Sequence, residues 1–109
     1  MNNTLHGTVT VNVGDEEFTL RPTLKAVRAI ESRFGGLRGA SEALHAVGVD
    51  VVAFIIAAGA GLEGKAAEAL AEKVWQEGVA VLTPPVTRYL GALYNPRGGD
   101  PGNDQAGTV

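Results

Sequence analysis

The side chains with chemistry to offer are few and scattered. His6 and His45 are the two histidines, Ser32 and Ser41 the two serines, and there is no cysteine. No histidine or carboxylate sits at metal-like spacing around His6. Glu42 precedes His45 by one helical turn, the spacing of a surface pair rather than of a metal site. Neither serine lies in the glycine-flanked turn that exposes a nucleophile, and without cysteine there is no thiolate nucleophile, thiolate metal ligand or disulfide. Gly59 and Gly64-Lys65 have the outer spacing of a phosphate loop, but Ala66 stands where the magnesium-holding hydroxyl belongs. Asp15-Glu16-Glu17 reads as a solvated acidic turn. The chain therefore presents no catalytic, cofactor-binding or metal-binding residues, and the expectation is a protein that is not an enzyme and carries no cofactor.

Two further groups bear on binding. Arg21, Lys25, Arg28, Arg33 and Arg38 form the densest basic stretch, with Lys25 and Arg28 one helical turn apart, so a small DNA-binding regulator is one reading. Glu31 interrupts the stretch, no aromatic side chains interleave it, and 12 acidic against 9 basic residues give a net charge of −3. Trp75, Tyr89 and Tyr94 are the aromatic residues left over after core assignment. Each combines a large apolar body with a polar tip, the character of an interface anchor, and they are the candidate protein-binding residues.

The elements that must position these residues are legible in the patterning. Val9, Val11 and Val13 alternate with polar residues, as do Phe18 and Leu20, and Gly14-Asp15 between them suits a tight turn. That turn sets Val11 opposite Phe18 and Val9 opposite Leu20, with both pairs on one face. Pro22 ends the second strand. Thr23 then caps a helix carrying Leu24, Val27, Ile30 and Phe34, and Gly35-Gly36 stops it. Leu37, Ala40, Leu44 and Val47 mark a second helix ended by Gly48, and Asp50 is placed to cap a third. The third segment, Val51 to Ala58, is apolar all round, which predicts a buried central helix, with a buried strand as the alternative. Ala66, Ala69, Leu70 and Val74 form one face of a fourth helix over 65–77. Thr83-Pro84 reads as the start of a fifth, with Val86, Leu90 and Leu93 buried.

With 109 residues the chain fits one domain. The pattern predicts an α+β fold in which an N-terminal two-stranded antiparallel hairpin packs on a bundle of four to five short helices over 1–95. Residues 96–109 hold four glycines, two prolines and no large apolar residue before Val109, a composition that predicts a disordered tail. The start of the chain has no basic cluster followed by an apolar run. The longest apolar stretch, Val51 to Ala60, is about half the ~20 residues that span a bilayer, so a cytoplasmic protein without membrane contact is expected.

Taken in order, Gly7-x-Val9-x-Val11, the Gly14-Asp15 turn, Phe18-Thr19-Leu20-Arg21-Pro22-Thr23, Ile30-Glu31, Gly35-Gly36 and the Pro85-Val86 to Tyr89-Leu90 segment resemble the gene transfer agent family of small phage-tail-like proteins. The resemblance covers residues 7–94. Gene transfer agents are phage-like particles, made by bacteria, that package host DNA, and the label used in that family is tail tube protein. The resemblance implies a role in tail morphogenesis, in the bacterial cytoplasm and among other tail proteins. A tube subunit retained in the particle contributes several long strands to a continuous barrel, whereas this chain offers one hairpin. A mainly helical domain fits a tail assembly chaperone better, one that coats the helical tape-measure protein before the tube polymerises. Its mechanism would be capture of apolar helix stripes in an apolar groove.

Overall fold

The computed structural model describes residues 8–95, so His6 and the expected tail over 96–109 lie outside the described residues. The order is β1 (Val9–Val13), β2 (Glu16–Leu20), α1 (Leu24–Phe34), α2 (Leu37–His45), α3 (Val49–Ala60), α4 (Gly64–Glu77) and α5 (Val79–Leu93). The α+β architecture and the hairpin register are those the alternation predicts. Val11 pairs with Phe18 and Val9 with Leu20 across an antiparallel ladder, and Gly14 supplies the positive φ of the turn. Val11, Val13 and Leu20 are buried beneath helices, which is what a two-stranded sheet requires to persist.

The apolar third segment is a helix, and it is the buried centre. Val52, Ala53, Ile55, Ile56, Ala57 and Gly59 are all inaccessible on α3, which packs against β2 and every other helix. Thr23 caps α1 as its position suggests, its Oγ1 accepting from the Ala26 amide at 3.0 Å, and Gly35 ends α1 in the left-handed conformation.

Four local expectations are corrected. Asp50 lies inside the first turn of α3; Gly48 is the cap, without a side-chain hydrogen bond. On α4 the buried face is Leu70 and Val74, flanked by half-buried Ala67 and Ala71, while Ala66 and Ala69 are exposed. In α5 the helix begins at Val79, and both prolines lie within it. Burying Leu82 in line with Val86, Tyr89, Leu90 and Leu93 outweighs the two N–H groups that Pro84 and Pro85 cannot donate. Thr83 Oγ1 donates back to the Val79 carbonyl at 2.8 Å. Finally, α2 ends at His45, before the expected Val47 and Gly48, and Val47 takes the left-handed conformation with φ 56°.

One junction ties the hairpin to the helices. The Tyr89 hydroxyl donates to the Arg21 carbonyl, and the Arg21 amide donates to the Gly59 carbonyl at 3.0 Å. The Tyr89 ring lies so close to Gly59 that a Cβ there would meet it at 2.9 Å and Leu20 Cβ at 3.0 Å. Gly59→Ala must therefore push apart β2, α3 and α5, and we expect a loss of about 1–3 kcal/mol in chemical denaturation. Burial pushes the Tyr89 hydroxyl up to about 12, above the ordinary tyrosine value of about 10. The folded state thus holds this proton more tightly than the unfolded chain. The associated stability is present below pH ~10 and is lost as pH rises toward ~12. Tyr89→Phe should cost about 1 kcal/mol at neutral pH and flatten that alkaline loss, as read by denaturation midpoints from pH 8 to 12.

Candidate functional site

Where α2 and α5 diverge they leave an open groove of about 510 Å³. Leu37, Ser41, Leu44 and His45 form the α2 wall, Thr83, Thr87, Leu90 and Gly91 the α5 wall, and Val47 lies at the end of α2. The walls follow from helical spacing: 37, 41, 44 and 45 share one side of α2, and 83, 87, 90 and 91 one side of α5. Leu44 and Leu90 are buried beneath the groove, while Leu37 and Val47 are 37% and 42% exposed. The surface is chiefly apolar, dotted with hydroxyls and one imidazole. Such a lining has little to offer a reaction and suits an amphipathic ligand.

Val47 is the conformational outlier of the groove. A β-branched residue in the left-handed region is strained, and Val47 is the one non-glycine residue with positive φ among the described residues. Its amide donates to the Leu44 carbonyl at 2.9 Å, and the Ala46 amide to the Ala43 carbonyl at 3.1 Å, which tightens the end of α2. At the other end, Gly39 sits against the Phe34 carbonyl so closely that any Cβ would clash with it.

The aromatic candidates separate. Tyr89 is 0% exposed and belongs to the core, so its assignment as an interface anchor is corrected: its ring is committed to Gly59 and its hydroxyl to Arg21. Tyr94 is half-buried just past α5, its hydroxyl 3.2 Å from Glu31 Oε2; burial, and then the Glu31 charge, raise its pKa. Trp75 is 65% exposed on α4 and takes no part in lining the groove. The groove residues escaped the sequence reading because Leu37, Leu44, Val47 and Leu90 look like ordinary core stripes. That α2 and α5 part above them is a tertiary fact, and the glycine at position 91 was the one local hint of an open wall.

Several of the charged groups have structural partners. Lys25 Nζ lies 2.8 Å from Glu63 Oε2, and this contact raises the lysine pKa and lowers that of the carboxylate. Arg33 stacks over the Phe54 ring at 4.9 Å, and Phe54 meets Phe34 edge-on. The acidic turn is clamped onto α4, with Lys73 Nζ 2.6 Å from Glu16 and the Gly14 amide 2.9 Å from Glu77. Gly59 to Lys65 runs from the end of α3 into the first turn of α4, with Gly61 as a left-handed helix cap, and a helix rather than a strand leads into it. Among the described residues no cluster of histidine and carboxylate groups could hold a metal ion, and no helix is long and apolar enough to cross a membrane.

No protein-family model, curated protein or solved structure matches the chain. Its groove must therefore be understood from its own residues. If Val47 stores strain, glycine there should relieve it. Val47→Gly is expected to raise stability by about 0.5–1 kcal/mol, the left-handed cost less the added entropy of the unfolded glycine chain, whereas Val47→Ile should give no gain. Urea midpoints of the three proteins measure this.

Proposed function

We propose that this chain is a tail assembly chaperone of a phage-like particle, of the gene transfer agent type, and that it holds a helix of the tape-measure protein in the α2–α5 groove. The observation that supports this reading is the open, chiefly apolar groove between two helices, whose lining includes two of the exposed large apolar side chains, Leu37 and Val47. An amphipathic helix laid there would set its apolar stripe against Leu37 and Val47, above the buried Leu44 and Leu90. Ser41, Thr83 and Thr87 tolerate polar flanks on the client, so recognition depends on an apolar stripe rather than on one fixed sequence. Capture by a small apolar groove, without a large interface around it, would be reversible. Reversibility is what the task needs, since subunits coating a long helix must leave as the tube forms around it.

The two other readings draw less support. A tube subunit would share several long strands with its neighbours, and the described residues hold a two-stranded sheet of five residues per strand. A DNA-binding regulator would need its basic side chains free, yet Lys25 is paired with Glu63 and Arg33 lies over Phe54.

Two measurements test the proposal. Quantitative mass spectrometry of purified particles should find the chain absent although it is abundant in producing cells; many copies per particle would make it structural. In pull-downs of tape-measure fragments, Leu37→Glu should weaken capture at least about tenfold with an unchanged melting midpoint, as for a truncated hot spot. Trp75→Ala should leave capture intact. The reverse pattern would place the interface on the exposed face of α4.

A further inference from the structure

Every element of the fold but one is fastened to another element by a polar contact. The strands share a ladder, and the hairpin is clamped to α4 through Glu16–Lys73 and Gly14–Glu77. The Arg21 backbone joins the end of β2 to α3 and α5, and Lys25–Glu63 joins α1 to the start of α4. Among the described residues, no side-chain hydrogen bond or ion pair involves α2, and its backbone bonds are all local. It is held by apolar packing, and its fully buried residues are just Ala40 and Leu44.

Both ends of this helix are also joints. Gly35 and Gly36 precede it with φ of 87° and 136°, in open space, and Gly36 gives no side-chain cap. Gly39 lies against the Phe34 carbonyl, with room there for no side chain, so the first turn of α2 stays close to the end of α1. Strained Val47 follows the last turn, beyond which the Val52 amide bonds the Gly48 carbonyl and α3 has begun. Right-handed geometry at Val47 would relieve the strain and necessarily redirect α2 relative to α3.

We infer that α2 is a hinged wall of the groove: it swings as an intact helix about the Gly35–Gly36 corner, and the left-handed to right-handed change at Val47 switches it between a seated and an open position. The open position widens the groove over Leu44 and Leu90. The motion is inferred from the fastening pattern and the two joints; its use in admitting a client helix rests on the function proposed above. A client that binds the open form better shifts the population toward it, and strain at Val47 lowers the cost of opening.

The chain has no cysteine, so spin labels can be placed singly on each side of the groove, at the exposed positions Glu42→Cys and Arg88→Cys of the full chain. Double electron–electron resonance on the free protein should resolve two label separations. Val47→Gly, at ease in the left-handed region, should lower the open-to-seated ratio roughly tenfold. Gly36→Ala, strained where Gly36 is not, should raise it. Carbon chemical shifts of residues 40–44 should stay helical in every variant. One narrow separation unmoved by either substitution overturns the hinge, as does loss of helical shifts, which would mean that α2 melts rather than swings. Adding a tape-measure fragment separates the two proposals. Two separations without binding leave the hinge standing and remove the chaperone reading, while binding that leaves a single separation unchanged does the opposite.

Discussion

The contact on which this fold most depends is the meeting of Tyr89, Gly59 and the Arg21 backbone. A two-stranded hairpin has too little apolar surface to stand alone, and a helix over its face is not enough unless its angle is fixed. Gly59 lets α3 come within touching distance of Leu20 and of the Tyr89 ring, and the Arg21 amide then bonds the Gly59 carbonyl. The Tyr89 hydroxyl takes the other side of the same peptide segment. Two backbone groups at the frayed end of a strand, where Pro22 prevents further pairing, are thereby satisfied in a place where leaving them bare would be costly. The bulk of the tyrosine fills the space that the absent glycine side chain opens.

Around this junction the domain divides into a fastened frame and one loosely held helix. β1, β2, α1, α3, α4 and α5 are linked by backbone bonds and by side-chain contacts spanning long stretches of chain. The exposed ion pairs contribute little each to stability, so the frame is held chiefly by the ladder, the Arg21–Gly59–Tyr89 junction and apolar burial. Local stability in proteins follows this kind of tethering, with function drawn from the less protected parts. The groove has one wall of each sort, α5 rooted in the junction through Tyr89 and α2 resting on Ala40 and Leu44.

The sequence was most readable where local chemistry and tertiary demand agree. Alternating valines, a Gly-Asp turn and a proline stop define the hairpin to the residue, because one face must be buried and a slip would invert it. Thr23 and Gly35 bound α1 for equally local reasons. Legibility failed where packing overrode a local signal. Thr83-Pro84 has the chemistry of a helix start, yet Leu82 lies one turn before Val86, and its burial draws the helix back to Val79. On α4, alanines at 66 and 69 are as apolar as those at 67 and 71, so composition could not choose the face. Tyr89 looked like an interface aromatic because nothing in its neighbourhood reveals that a glycine thirty residues earlier leaves room for its ring. The groove was illegible for a related reason: apolar stripes have the same appearance whether they meet a partner helix or stand apart from one.

The position of the strain follows from this division. A left-handed valine in the fastened frame would be a pure cost, since nothing there can move to relieve it. Beside α2 it lies at the one joint whose relaxation leaves every long-range polar contact in place. Glycine stands immediately after it, at position 48, so a small shift in sequence would have removed the strain altogether. That the αL position is filled by a β-branched residue exposed to the groove, while the adjacent glycine takes an extended φ that any residue adopts, gives Val47 a part in the surface it borders. Under the proposed capture of a client helix, the rigid junction would fix where the client lies, and the strained, untethered wall would lower the cost of letting it in and out.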